Sequence, residues 1–443
     1  MEDDRHFFLL RGIKNILRCD QAIVVTGIAN YVVSQHRSLR LLAALIERTR
    51  WTPIPAVVAL VGGLRSLLAV RSGGHRTGGV WIARLGNERQ AILDLTTVCS
   101  DLSWTELKFA SLPNVEALST FARNLNPRRI LRIARLLHRR YEFFKVLRVV
   151  ELICYYSRYL EIFQNGQFKL AAMSSHSNPH GIAFNLAARK CGVPVVLTTH
   201  GMPIRPVARL NYDLGLVHCE AARQIYFEEG SRIERVYVHG RRQNHFPMPT
   251  GPLPKRLSVG IFLCKDVNED RLRAVIDRLL DHPRVSRIMV RPHPKNLWMG
   301  LDAWIASRKD RRVSRTSGVS VFSDVAKSDI VLAGNSSVLV DAVTAGRPSG
   351  FVPGLDHGFP DLHAFAARGL IYQIDDHLDF DPDAMLDFYQ RPDWLSVLRL
   401  FANVDEDEAS VAEIFSADMR ELALGNCEQG YRTCEKRRAA GNR

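Results

Sequence analysis

Two adjacent serines, Ser336 and Ser337, follow the turn Ala333-Gly334-Asn335 at the end of a short apolar run, Ile330–Leu332. The run reads as a strand and the serines as the opening of a helix. Backbone N–H groups in the first turn of a helix lack partners inside it, and the helix dipole favours anions there. The hydroxyls of Ser336 and Ser337, beside Gly334 and the amide of Asn335, add donors at the same point. Asp341 lies four residues past Ser337 and so on the same helix face. A carboxylate there can accept from sugar hydroxyls. Phosphate donors followed by a hydroxyl acceptor describe a nucleotide-diphosphate site. Gly346 and Pro348 then stop the helix before a new strand.

Histidines recur at strand ends. Arg287–Val290 reads as a strand and runs into Arg291-Pro292-His293-Pro294. The two prolines stiffen that turn and hold Arg291 and His293 at the strand's carboxyl end. In the other half, Gly192-Val193-Pro194 stops a helix, Val195–Thr199 reads as a strand, and His200-Gly201-Met202-Pro203 follows. Open parallel α/β sheets bind ligands outside the carboxyl ends of their strands. His200 and His293 are therefore the catalytic candidates. Lys265, after the first strand of the second half, would meet a phosphate, and Arg205 and Arg209 could hold an anionic acceptor. Each residue has a plainer reading: strand-end polarity for the histidines, an N-cap for Ser336, a solvated surface for Lys265, Arg205, Arg209 and Asp341. His176 and His180 flank Ser177-Asn178-Pro179 but lack a third metal ligand, so loop polarity suits them better. Asp379, Asp381 and Asp383 precede a helix and read as N-cap acids.

The elements that must place these groups alternate in type. Strands followed by helices build parallel sheets covered on both faces. Residues 1–105 mix helices with strand candidates at Ala22–Thr26, Gly79–Leu85 and Ala91–Val98; residues 104–165 are helical and basic. A βαβ core spans 166–245, and the proline-rich 246–256 reads as a linker. A second Rossmann-like domain is expected over 257–430, opening at strand Leu257–Cys264 and a helix capped by Asp266 with Glu269. Further strands are expected at Val319–Phe322, Ser349–Val352 and Leu370–Ile374, a helix near Trp298–Ser307, and a basic tail over 431–443.

Taken in order, the His-Gly turn, Arg-Pro-His-Pro and the Gly-Asn-Ser-Ser unit with its Asp-Ala and Gly-Arg-Pro resemble the GT-B glycosyltransferase superfamily. The nearest look-alikes are bacterial surface-polysaccharide, capsule and CDP-glycerol glycerophosphotransferases. The resemblance covers Lys169 to Ile374. It implies two Rossmann-like domains with parallel sheets, helical N-terminal additions, a C-terminal helical segment and an active site between the domains. It further implies a transferase moving a sugar or polyol phosphate from a nucleotide-activated donor to a glycan or lipid-linked acceptor. No divalent metal or resident cofactor is needed on that reading. Ser336, Ser337, Gly334, Asn335, Arg291, Lys265 and Asp341 would serve the donor, His293 the departing nucleotide, and His200 the acceptor hydroxyl, with Gly201, Arg205 and Arg209 on the acceptor side. Asp341 stands where many relatives carry Glu. A nucleotide-sugar 2-epimerase is the enzyme alternative, though it calls for several carboxylates that the first half does not offer. A non-catalytic, membrane-associated module is the other.

A chain of 443 residues with a net charge of +14 is large enough for two domains and seeks an acidic partner. Nucleotide phosphates and an anionic membrane surface qualify. Nucleic acid does not, because the basic residues lack interleaved aromatics. The eight cysteines are scattered without a Cys-x-x-Cys, which fits reduced thiols and a cytoplasmic setting, with the inner membrane face as a further option. The longest apolar run, Ile54–Leu64, is too short to span a bilayer. Arg132–Arg148 reads as one basic amphipathic helix suited to an anionic surface or, more plainly, to packing on the domain.

Overall fold

A computed structural model describes the chain from Pro53 to residue 425, leaving out 72–76, 84–85, 110–126, 139–142, 175, 177, 200, 204–206, 240–247, 265–266, 294–299, 317–319, 358–360 and 403–410. The strand expected at Ala22–Thr26 and the tail 431–443 lie outside the described residues. Chain contacts divide the molecule into two units. The first takes the described residues up to His218, then Ala222–His239 and 411–425; the second takes Cys219–Ala221 and the described residues from 248 to Ala402.

The first unit begins with helix α1 (Ile54–Ala69), strand β1 (Val70–Arg71), β2 (Thr77–Ile82), α2 (Gly86–Val98), β3 (Trp104–Glu106) and β4 (Lys108–Phe109). Helices α3 (Pro127–His138) and α4 (Phe143–Asn165) follow, then β5 (Gln167–Met173), α5 (Pro179–Lys190), β6 (Val195–Thr198), β7 (Asn211–Val217), α6 (Glu220–Glu228) and β8 (Arg232–Val238). Six strands form one sheet in the order β3-β2-β5-β6-β7-β8, every pairing parallel. Helix α1 lies close on α4 because Gly62 and Gly63 leave room: a Cβ at Gly62 would come 2.5 Å from Leu147 Cδ1, and one at Gly63 2.7 Å from Val150 Cγ1.

The second unit runs β9 (Leu257–Phe262), α7 (Glu269–Asp281), β10 (Val285–Arg291), α8 (Leu301–Ser307), β11 (Val313–Arg315), α9 (Val321–Ala326), β12 (Ile330–Ala333), α10 (Val338–Thr344), β13 (Ser349–Phe351), β14 (Tyr372–Gln373), α11 (Pro382–Tyr389) and α12 (Trp394–Phe401). Its sheet has the order β11-β10-β9-β12-β13-β14, again wholly parallel. Helix α7 shows how sequence sets such an element. Leu272, Val275, Ile276 and Leu279 bury one face, acids Glu269 and Asp270 open it, and Arg278 closes it. The fold is thus α/β, with two parallel sheets of Rossmann type flanked by helices.

Several local expectations are corrected. Ala91–Val98 is part of helix α2, not a strand: Ile92 and Leu95 are buried and Leu93 and Asp94 exposed, a helical spacing that the Thr-Thr-Val ending masks. Val321–Ala326 is helical because Ser320 caps it, its Oγ accepting from Ser323 N–H at 3.1 Å. Asn268, not Asp266, is the N-cap of α7, accepting from Arg271 N–H at 3.2 Å. Arg132–Arg148 is divided between two helices, α3 and α4. Asp381 does cap α11, accepting from Asp383 and Ala384 N–H at 3.0 Å each.

The largest correction concerns where the second domain ends. Residues 411–425 form a helix, α13, that packs within the first unit. Its Phe415 and Met419 join Trp81, Ile92, Leu170 and Leu214 in one buried cluster. Its polar side holds Arg235 through Asp418 and Glu421, at 2.9 Å each, and Asp101 through Arg420 at 2.9 Å. Burying two large apolar side chains contributes about 1.5–3 kcal/mol each. The first sheet is therefore covered by chain far downstream of it. Among the described residues no helix is long and apolar enough to cross a membrane.

Candidate functional site

Strand order locates the ligand edge of each sheet. In the second unit the chain steps outward from β9 to β10 and β11, then crosses back to β12 on the other side of β9. Such reversals open a crevice outside the carboxyl ends of the two central strands. There the chain carries Leu263 and Cys264 after β9, and Gly334, Asn335, Ser336 and Ser337 after β12.

Asn335 ties that edge together. Its carbonyl accepts from the Cys264 Sγ–H at 2.9 Å, its N–H donates to the Asp356 carboxylate, and its Oδ1 accepts from Leu362 N–H. Burial, reinforced by Asp356, pushes the Cys264 thiol up, so it stays protonated and remains a donor. Asp356 belongs to the segment after β13, which a backbone bridge from Val267 joins to the segment after β9. Asp361 adopts a positive φ of 35°, and its carboxylate accepts from the N–H groups of Phe365 and Ala367, both at 2.8 Å. The next turn carries His363, whose ring stacks on Phe365 at 5.0 Å between centroids. Burial pushes that imidazole down to about 4.

Gly334 is required by this packing. A Cβ there would stand 2.0 Å from Asp356 Oδ2. Gly334→Ala should drive the carboxylate off Asn335 N–H and cost about 1–3 kcal/mol. Chemical denaturation measures this; a loss under about 0.5 kcal/mol, the range of neutral surface changes, would show that the carboxylate is not held there.

The serines stand as expected from their spacing, with differences in detail. Ser336 Oγ accepts from Val338 N–H at 3.4 Å, a long capping bond, and Ser337 is exposed with helical φ and ψ. Helix α10 is short, and Gly346 with φ 73° ends it. Asp341 is half-buried on that helix. At the end of β10, Arg291 ion-pairs with the buried Asp324 of α9 and donates to Ser320 O at 3.1 Å. A carboxylate only 2% exposed needs such a cation. Arg291, expected to serve the donor, therefore braces β10 against α9. His293 follows it, exposed, at the same edge. Lys265 lies outside the described residues.

In the first sheet the reversal falls between β2 and β5. Beyond the carboxyl ends of β5, β7 and β8 stand His176, His218 and His239. His176 Nδ1 and the Tyr226 hydroxyl are hydrogen-bonded at 2.7 Å, and burial raises Tyr226 so that it keeps its proton. Thr199 Oγ1 meets His218 Nδ1 at 3.0 Å and accepts from His218 N–H at 3.0 Å. His200 and Arg205 lie outside the described residues. Gly201 avoids the left-handed region, and a Cβ there would meet open space, so no turn demands glycine. Arg209 is a correction. It precedes the first residue of β7, which puts it at the amino edge of the sheet, and its Nε donates to Glu229 O at 3.2 Å. It is not brought to the edge where the histidines stand. Among the described residues no cluster of three or more His, Cys, Asp or Glu forms a metal site.

Sequence reasoning missed Cys264, Asp356, Asp361 and His363. The only local hint was the density of acids and histidines in Leu355–His363, between two strands. Their partner, Asn335, lies 21 residues before Asp356, and only the sheet brings them together.

No protein-family model and no curated protein sequence matches the chain. Solved structures with a similar chain course include an S. aureus MnaA–UDP co-structure at 13% identity and TM-score 0.45, covering 79% of this chain and 97% of that one. MurG of Acinetobacter baumannii matches at 13% identity and TM-score 0.44, covering 76% and 99%. CalG4, the calicheamicin glycosyltransferase, matches at 14% identity and TM-score 0.42, covering 83% and 99%.

Proposed function

We propose that the chain is a transferase that moves a sugar or polyol phosphate from a nucleotide-activated donor to a glycan or surface-polysaccharide acceptor. The carrying observation is one of place. The Gly334–Ser337 turn stands at the reversal point of the second sheet, and three ties from two segments, those after β9 and β13, hold its Asn335 still. Fixed donors cost no reorganisation when charge develops on a leaving phosphate, usually the largest catalytic contribution. In this reading Asn335 and Gly334 shape the turn, while Ser336 and Ser337 donate to the donor's phosphates. Asp341 accepts from a sugar hydroxyl. His293, exposed at the same edge, hydrogen-bonds the phosphate that departs. The acceptor oxygen forms its new bond as the donor's bond to the nucleotide breaks. The acceptor proton passes to His200, which follows Thr199 at the end of β6, and the negative charge leaves with the nucleotide. The net charge of +14 supports phosphorylated ligands.

Calorimetry with UDP-, CMP-, CDP- and GDP-linked compounds tests the reading. One of them should bind, and S336A/S337A should weaken it at least about 10-fold, since each charge-assisted hydrogen bond is worth roughly 1.5–3 kcal/mol. Binding by none of the four rejects a nucleotide-activated donor. Binding that the double variant leaves unchanged rejects this site.

A further inference from the structure

The first unit carries a surface that the donor chemistry does not use. Helix α1 buries Ala56, Ala59 and Leu60 against α3 and α4. Its opposite face is apolar too: Ile54 is 48% exposed, Val57 45%, Val58 37% and Val61 59%. Those positions repeat at three and four residues and form one stripe along the helix. Exposed aliphatic residues are ordinarily scattered singly; four in a row make a patch.

The charge carried by α1 and α3 themselves has one sign. Arg65 continues the stripe one turn past Val61 and is exposed. On α3, which packs beside α1, Arg128, Arg132 and Arg135 are exposed at a spacing of four and three residues. No aspartate or glutamate occurs anywhere from residue 48 to 87 or from 117 to 141. Acids are common elsewhere in the chain, but neither helix carries one. A self-contact through this face would set arginine against arginine. An anionic surface would not.

We propose that the α1 stripe and the α3 arginines are a docking face for a bilayer rich in anionic lipid. The aliphatic side chains enter the headgroup–acyl boundary, and the arginines pair with headgroup phosphates. The inference stands on the first unit alone and does not depend on what the second unit binds.

Flotation of the full chain with phosphatidylcholine vesicles, with and without about 30 mol% phosphatidylglycerol, tests it. The protein should float with the anionic vesicles, stay down with the neutral ones, and be released near 0.5 M salt, where screening is strong (about that order). R128Q/R132Q/R135Q should weaken vesicle binding about 100-fold, because each near-surface cation contributes a factor of roughly five. V57E/V61E should abolish flotation at every salt concentration while the circular-dichroism melt stays put. Wild-type protein that fails to float overturns the proposal, as do variants that float like wild type. Two further results would replace it. Conversion of a dimer to a monomer by V57E/V61E in sedimentation makes the stripe a self-contact. A melting temperature lowered by more than about 5 °C means that the chain itself covers the stripe.

Discussion

His293→Ala should lower transfer by about 100-fold or more, the usual loss when a fixed donor to a developing charge is removed. Its effect on stability should stay within roughly 0.5 kcal/mol, as for other exposed positions. The contrast follows from how the side chain is mounted. Arg291 is anchored to buried Asp324 and to Ser320, and Pro292 limits the backbone between anchor and imidazole. The histidine is exposed, so little packing is lost with it. Yet its position at the end of β10 is fixed by groups that the substitution leaves alone. Steady-state transfer and a thermal melt on the same preparation decide the matter. A variant that melts many degrees lower, with its folded fraction fully active, would make His293 a structural residue.

Acid should destabilise the second unit through His363. Burial holds this imidazole at about 4, below its ordinary 6.5. A folded-state pKa below the unfolded value means that the unfolded chain takes up a proton first. Stability is then full above pH 6.5, declines as pH falls, and has lost its whole contribution once pH passes the folded value near 4. Each unit of difference is worth about 1.4 kcal/mol, so the loss is on the order of 3 kcal/mol. That is a large share of the 5–15 kcal/mol (about) that holds most domains folded. His363→Gln removes the titration. Its unfolding free energy from urea titration should vary less between pH 6.5 and 4.5 than that of the parent, by on the order of 2 kcal/mol. Parallel acid limbs for the two proteins would show that the ring protonates in place.

The chemistry-bearing turns were legible because each rests on a short local signal. Small residues before paired serines mark a strand-to-helix turn, and Pro-His-Pro marks a stiff one. β9, β10, β12 and β13 were found for the same reason, since each is a short stretch rich in apolar residues flanked by charged residues, Gly or Pro. The failures share a different cause. Ala91–Val98 is rich in β-branched residues, yet burial of Ile92 and Leu95 on one side makes it a helix. Propensity there yields to packing, which local sequence does not record. Arg209 read as a ligand residue because it follows His200 closely, but a strand begins two residues later and carries it to the wrong edge. Arg291 was legible as a strand-end cation and illegible as the partner of Asp324, 33 residues away. The ties on Asn335 are of the same kind, each closed by the sheet and not by the local chain.

Helix α13 has a consequence for synthesis. A ribosome that has released every strand of the first sheet has still not delivered the cover for Trp81, Ile92 and Leu170, because Phe415 and Met419 emerge last. The nascent first unit must wait, with an apolar face open, while the whole second unit is made. Such late, distant closure slows folding and exposes surface that aggregates. A stop codon or protease cut before residue 411 would therefore damage the first unit, though the missing residues lie beyond the end of the second.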